Sequence, residues 1–410
     1  MIKYFGFLIC FSFLIAVNNL VSGQQNEKVK IKFIDNFFEN ASPLSWKIQG
    51  DTIVKIFLFP DYEYETLNRQ TDHWYFKLVA GKGDQVKFIL SKLMPNIRGG
   101  RVSTNWWNFD KDISCYISYD RKTWEAIKTS KLPGLELLVE FTMREKEVYI
   151  ARMPPYTISD LEKLKTRISK NKLVKIHTIG TTTEKRPIEV IQLGNAKAPN
   201  SILIRARAHP WETGGNWLAE GLINKFISQN SKKWQETFCV YIMPMANKDG
   251  VAHGLSRYNV LGIDLNRKCD EKPDSILCPE NFALDKFIAR LIKFGKKPCL
   301  GIDIHNDDFG GIDWAQHRGN DPQFLKNIQL FEKLMREHTS FSGPFNVGQT
   351  AGHKGFQNGL VARYGIEGFL VELNANWMST LNKMPSQKDW MEIGENLNNV
   401  FYEYLTGQNK

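Results

Sequence analysis

Cysteine is scarce in this chain, with six residues in 410 and no Cys-x-x-Cys pair. That argues against a cysteine-built zinc site, which needs closely spaced thiolates. Beyond the first 23 residues there is no apolar run approaching the roughly 20 residues that a spanning helix requires, so no stable membrane insertion is expected. Internal repeats and low-complexity tracts are missing too, which argues against a repeat architecture. The net charge of +10 comes with only short basic pairs and no concentrated basic tract. It reads as a solvated surface with a mild bias toward acidic partners, not as a nucleic-acid footprint. What remains is ordinary for a folded globular protein, 42% hydrophobic and 24% charged, and long enough for two domains.

The N-terminus carries Lys3, then an apolar stretch from Tyr4 to Val17, and small residues before Gln24. This is the pattern of an export leader cleaved after Gly23, since the apolar core is too short to span a bilayer. Cys10 lacks the small residues that precede a lipoprotein cysteine. A secreted or periplasmic soluble protein is therefore expected. Losing Lys3 lowers the charge from +10 to +9 and leaves Cys115, Cys239, Cys269, Cys278 and Cys299. An odd number leaves at least one thiol free unless a bond forms between chains. Cys239 and Cys299 sit in apolar runs and read as buried thiols. Cys269 and Cys278 share a polar loop, where a disulfide and two free thiols are both open outcomes.

From about Val29 to Met153 the sequence reads as short strands. The runs Thr52–Phe59, His73–Val79, Gln85–Leu90 and Glu136–Thr142 are aromatic and β-branched, with Gly, Asn, Asp and Pro between them. An antiparallel β-sandwich over residues 24–153 is expected. Trp46, Trp74, Trp106, Trp107 and Trp124 invite a carbohydrate-binding reading, against the plainer one of large packing residues. Met153-Pro-Pro-Tyr156 marks a boundary, and Thr157 or Ser159 caps a helix reaching about Ser169. Beyond it, over residues 154–410, strands alternate with helices. Ser201–Ala208, Phe238–Met243, Pro298–Ile304 and Ile366–Leu373 read as strands, Asn216–Gln229 and Asn281–Phe294 as helices. The fold class is α/β, a sheet covered on both faces, preceded by the sandwich.

Chemistry gathers at the strand ends of this second part. His209-Pro-Trp-Glu212 follows the apolar run Ser201–Ala208, and it offers an imidazole and a carboxylate three residues apart. His305 follows another strand and Glu372 closes a third. Ligand sites of open α/β sheets lie at the carboxyl edge of the strands, so residues distant in the chain converge there. His209, Glu212 and His305 are assigned as ligands of one Zn²⁺, three protein ligands being the catalytic arrangement with a fourth position for water. Glu372 is the candidate general base. Arg257 is a fixed cation for an oxyanion. Asn266 and Arg267 suit a free α-carboxylate, through a directed amide donor and a bidentate guanidinium. Each residue alone has a duller reading: a satisfied histidine, a turn with a surface charge, a glutamate paired with a lysine. The order and placement together favour the joint reading.

From about Val174 to Leu405 the chain resembles the M14 zinc carboxypeptidases. The resemblance rests on His209-Pro-Trp-Glu212, Asn247-Lys-Asp-Gly250, Arg257, Asp264-Leu-Asn-Arg267, His305 and Glu372. The preceding sandwich and the Pro-Pro-Tyr-Thr junction resemble the cytosolic carboxypeptidase-like branch, a name that describes ancestry here and not address. The resemblance implies a mixed-sheet catalytic domain, zinc on His209, Glu212 and His305, and Glu372 as general base. It further implies that Arg257 polarises the scissile carbonyl and that Asn266-Arg267 holds the C-terminal carboxylate. The floor under the C-terminal side chain would come from residues around Lys354–Tyr364, where Arg363 is either a partner for an acidic side chain or a surface arginine. Three departures stand out. Trp211 replaces the branch's usual glycine and is expected to narrow the site. Asn306-Asp307-Asp308 makes an acidic neighbourhood that disfavours the acidic side chains other members of the branch remove. The substrate-capping tyrosine has no assigned counterpart, with Tyr364 and Phe369 nearby in sequence.

The expected function is a metallocarboxypeptidase acting on peptide or protein C-termini. An amidase of peptidoglycan stem peptides and a non-catalytic binding protein using the sandwich are the alternatives.

Overall fold

The computed structural model describes residues 30–49, 53–64, 68–93, 96–98, 101–103, 107, 110–228, 231–315, 322–347 and 354–407. The expected leader and Trp106 lie outside the described residues. Among these residues no helix is long and apolar enough to cross a membrane.

Period-two alternation builds the first part of the chain. In Ile53–Leu58, Val54, Ile56 and Leu58 are buried while their neighbours are partly exposed, so the strand offers one apolar face. Phe76, Leu78, Phe88, Leu90, Val148 and Ile150 meet that face in one core between two five-stranded sheets. The sheets are not wholly antiparallel, as expected from the pattern: Ile53–Leu58 runs parallel to Gln85–Ser91. Between those two strands the chain lays Tyr75–Val79 into the other sheet. Alternation reports faces and says nothing of direction, so the pairing was invisible to it. Trp74 is buried in this core, Trp46 and Trp107 pack against it, and Trp124 meets Tyr75 edge-on at 5.8 Å. For these four the packing reading holds.

Thr157 then caps α1 (Ile158–Ile168). Its side chain accepts from Asp160 N, while the Asp160 carboxylate accepts from Thr157 N at 3.0 Å, satisfying two amides that the first helical turn leaves without partners. Eight strands follow: β1 (Val174–Thr181), β2 (Pro187–Leu193), β3 (Asn200–Ala206), β4 (Phe238–Met243), β5 (Leu300–Asp307), β6 (Gly311–Trp314), β7 (Phe345–Val347) and β8 (Glu367–Asn374). They lie in the order β1-β2-β4-β3-β5-β8-β6-β7. The central four, β4, β3, β5 and β8, are parallel; β2 and β6 join them antiparallel, and β7 pairs with β6 in parallel. Ile202, Ile304 and Val371 point into a large core with α2 (Gly214–Phe226), α6 (Pro322–His338) and α8 (Gln387–Gly407). Leu203 points the other way, toward α5 (Pro279–Lys293) and α7 (Phe356–Tyr364). The short helices α3 (Lys232–Thr237) and α4 (Lys248–Ala252) complete the set among the described residues. This is the mixed α/β sheet expected, covered on both faces.

The α2–α8 contact needs glycine. A Cβ on Gly221 would collide with Met391 O, and one on Gly394 with Leu218 O, so the two backbones approach as closely as bare glycine permits. That contact fixes the helix that begins just after Glu212.

All five described cysteines are free thiols. Cys269 and Cys278 do not pair: Cys269 Sγ lies 3.6 Å from the Leu265 and Arg267 carbonyls, and Cys278 Sγ lies 3.3 Å from Asp274 O. Cys239 is buried as expected, but Cys299 is exposed. It sits one residue before β5, outside the strand itself, with its Sγ 3.2 Å from Ser201 O.

Candidate metal centre and substrate cleft

β3 ends at Ala206, and Arg207 takes a left-handed φ of +61°. For a non-glycine residue that strain costs of order 1–3 kcal/mol, and the buried Arg207 side chain helps to hold it. Arg207 Nε donates to Pro210 O at 2.6 Å and Nη1 to Asn216 Oδ1 at 2.7 Å. The turn that results carries His209 and Glu212 back over the strand ends. His305 lies inside β5 and Glu372 inside β8, directly opposite one another in parallel register. Both strands run two residues past the functional side chain, further than the sequence pattern indicated.

His209, Glu212 and His305 are 3%, 3% and 1% exposed. Their ligating atoms all lie within 4.8 Å of one another. Glu212 Oε1 is 2.6 Å from His209 Nδ1, Oε2 is 2.7 Å from His305 Nδ1, and the two Nδ1 atoms are 3.1 Å apart. The opposite ring nitrogens explain why. His209 Nε2 faces Asp264 Oδ1 at 3.1 Å and His305 Nε2 faces Asp303 Oδ2 at 2.8 Å. Those carboxylates place the ring protons on Nε2. Both Nδ1 lone pairs then converge with a carboxylate, three buried acceptors and no donor. A cation satisfies that set, and two nitrogens with one oxygen suit Zn²⁺. The residues therefore fit the metal expected.

The two outer acids are held in turn. Arg205 grips Asp303 bidentately, Nε to Oδ1 at 2.7 Å and Nη2 to Oδ2 at 2.6 Å, with both residues 0% exposed. Arg257 Nε and Nη2 both reach Asp264 Oδ2 at 2.8 Å. Burial opposes the charge on both acids, but the flanking guanidiniums and histidines outweigh it and hold the carboxyls below the usual range. Neither acid has a role in the sequence pattern: Asp264 opens the Asp-Leu-Asn-Arg run, and Asp303 stands two residues before His305. The Asp303-x-His305 spacing puts acid and imidazole on one face of a strand, a usable signal.

Glu372 is half-buried, with Oε2 enclosed and without a partner. Burial first, and Asp307 next, push its carboxyl well above the ordinary range. Arg257 is pinned from the sandwich side as well as by Asp264. Asp61 accepts the backbone amides of Ser256, Arg257 and Tyr258 at 3.0, 2.6 and 3.1 Å, and Gln70 Oε1 accepts from Arg257 Nη1 at 3.2 Å. No local pattern links residues so far apart in sequence, and Asp61 and Gln70 were missed for that reason. Asn266 Oδ1 takes bonds from Arg205 Nη2 at 3.1 Å and Phe356 N at 2.8 Å. Its amide orientation is thereby fixed, with the Nδ2 donor turned away from both. Arg267 Nη1 donates to Asn266 O at 2.8 Å, and a cavity of about 370 Å³ opens beside Arg267, Asp264, Phe356 and Leu360.

Three expectations change. Trp211 does not stand over the metal ligands as a narrowing ring. It is buried in the large core with the Arg152 guanidinium 5.6 Å from its centroid, because the turn after β3 directs it toward α2. The acidic neighbourhood after His305 is partly neutralised, since Asp308 Oδ1 accepts from Arg152 at 2.9 Å and from Asn376 at 2.7 Å. Asp307 remains, raised to about 7 by burial and then by Asp308. Arg363 is not a free partner for an acidic side chain: it is partly exposed and paired with Asp285 at 2.5 Å. Tyr364 also bonds Asp285, and Phe369 is sealed between Trp314 and Phe331, so neither is placed to cap a substrate at the metal centre.

Residues 158–325 match the family model described as zinc carboxypeptidase, Peptidase_M14. The chain is 30% identical over 283 residues to cytosolic carboxypeptidase 2 of Xenopus tropicalis, covering 60% of this chain and 28% of that one. It is 27% identical over 210 residues to an uncharacterized Zymomonas mobilis protein, covering 50% and 52%. It thus spans between about a quarter and a half of those relatives' lengths. Its fold is similar to a metallo-carboxypeptidase from Burkholderia cenocepacia, with TM-score 0.79, 18% identity, and coverage of 92% and 99%. It is similar too to one from Pseudomonas aeruginosa in complex with (2-guanidinoethylmercapto)succinic acid, with TM-score 0.79, 20% identity, and coverage of 92% and 100%.

Proposed function

We propose, on the premise that residues 158–325 match the zinc carboxypeptidase family model, that the chain releases C-terminal amino acids from peptides or proteins, with one Zn²⁺ per chain held by His209, Glu212 and His305. The observation that carries this reading is the convergence of three buried acceptors whose outer nitrogens are tied to Asp264 and Asp303. When bound, the metal supplies Lewis acidity, lowering the pKa of a water toward about 7 and polarising a carbonyl.

The chain's own residues do the rest. Asn266 and Arg267 bind the terminal carboxylate, the first by a directed amide donor and the second by its guanidinium. That anchor sets which peptide bond lies over the metal centre. Glu372, adjacent to His305 in register, takes the proton of the attacking water and delivers it to the leaving amine. Arg257, fixed in plane by Asp264 and Gln70, stabilises the oxyanion as the carbonyl becomes tetrahedral. The first two sheets thus act within the site, through Asp61 and Gln70. No specific observation favours a stem-peptide amidase, and the packed tryptophans remove the main support for a binding protein built on the sandwich.

Comparing a peptide with its C-terminally amidated twin tests the reading. Amidation removes the charge that Arg267 binds, and leaves that guanidinium unanswered. The expected fall in kcat/KM is about 100-fold or more. Equal turnover of the two peptides would show that the enzyme does not require a free C-terminus.

A further inference from the structure

The side chain of the terminal residue has to be received near Asn266 and Arg267, on the sheet face that bears Glu372. Alternation along β8 defines that face. Phe369, Val371 and Leu373 enter the large core, so Leu370 and Glu372 face the opposite way. In β6, Ile312 and Trp314 enter the same core, which leaves Asp313 on the Glu372 side. Asp313 is directly opposite Leu370 in antiparallel register, one strand over and two residues along from the proposed base. It is half-buried and accepts from Asn346 Nδ2 at 3.0 Å. Among the described residues no lysine or arginine makes an ion pair with it.

A second acceptor comes from α7. Gln357 is 2% exposed and its Oε1 has no partner. Its backbone rests on Gly368, where an added Cβ would stand 2.9 Å from Gln357 O. Its side chain returns toward the carboxylate anchor. A Cβ placed on Gly355 would be 2.6 Å from Gln357 Oε1 and 3.1 Å from Asn266 Oδ1. The region running from Asn266 toward β8 and β6 therefore presents a carboxylate and an amide oxygen. Two of the nearby cations are committed elsewhere, Arg363 to Asp285 and Arg205 to Asp303.

Given the carboxypeptidase reading, we propose that this cleft selects a C-terminal residue with a cationic side chain, lysine or arginine, with Asp313 as the specificity-determining acid and Gln357 Oε1 accepting a second bond. A cation supplies donors to both oxygens and neutralises a charge in a partly desolvated wall. An acidic side chain meets like charge at Asp313 and another acceptor at Gln357, a repulsive arrangement that rejects as well as selects. An apolar side chain leaves both oxygens unanswered.

Benzoyl-glycyl dipeptides ending in Lys, Leu or Glu, given to the zinc-loaded full chain, test this. The Lys peptide is expected to exceed Leu in kcat/KM by about tenfold and Glu by about 100-fold or more. Asp313→Asn should cut the Lys-to-Leu ratio about tenfold, and Asp313→Lys should move the preference toward Glu. A wild-type profile led by Glu or Leu overturns the proposal, as does a Lys-to-Leu ratio that Asp313→Asn does not move. Calorimetric binding of the same peptides to zinc-loaded Glu372→Gln protein separates this inference from the reading beneath it. The Lys peptide should bind tightest, and any other order overturns the selection. Absence of turnover for every peptide, with that binding order intact, would instead contradict the peptidase reading alone.

Discussion

Glu372→Gln should keep its full complement of zinc and lose kcat by about 10³-fold, at the upper end of what a positioned proton carrier contributes. Glutamine matches glutamate in shape, so the position opposite His305 in register is retained. What disappears is the ability to take a proton. The environment suits that task. Burial and the neighbouring Asp307 raise the Glu372 carboxyl above its ordinary range, the direction that strengthens a carboxylate as a proton acceptor. Its Oε2 atom has no partner to compete for the proton. The measurement is kcat alongside metal content in one preparation. Activity within about tenfold of wild type, with zinc retained, would show that the proton travels by another group.

Arg257→Ala is the second large effect, with an expected loss of about 10²–10³ in kcat and a smaller change in KM, the signature of an interaction made mainly in the transition state. The side chain is buried and held from two directions, by Asp264 on one side and Gln70 on the other. That rigidity makes it a preorganised donor, one that need not be ordered during the reaction. Truncation also frees Asp264, the acid behind His209, so zinc content has to be measured with the kinetics. Stoichiometric zinc with kcat reduced about 10²-fold supports direct stabilisation of the oxyanion. Stoichiometric zinc with unchanged kcat rules it out, and zinc lost in proportion to activity assigns Arg257 to holding His209 in place.

Much of the site was legible because its chemistry is local to strand ends. His209 and Glu212 announce themselves by spacing, and His305 and Glu372 by ending apolar runs. The sheet then brings them together by parallel register, which an α/β pattern implies without naming the pairs. The groups that orient them were harder to find. Asp303 carries a two-residue signal on its strand. Asp61 and Gln70 carry none, because their contacts with residues 256–258 exist only after the first sheets pack against the catalytic part. Direction was illegible for a related reason: period-two burial placed Ile53–Leu58 on the correct face yet gave no hint that it pairs in parallel. Trp211 misled because a substitution read against a family pattern says what is bulky, not where the backbone sends it.

Metal analysis of the purified full-length chain is the most direct test of the centre on which every other step depends. Loaded with zinc at neutral pH and dialysed, the wild-type protein is predicted to retain one zinc per chain, and the His209→Ala, His305→Ala double variant to retain none. A wild-type chain that holds no zinc, or a double variant that holds as much as wild type, would contradict a metal site built from His209, Glu212 and His305.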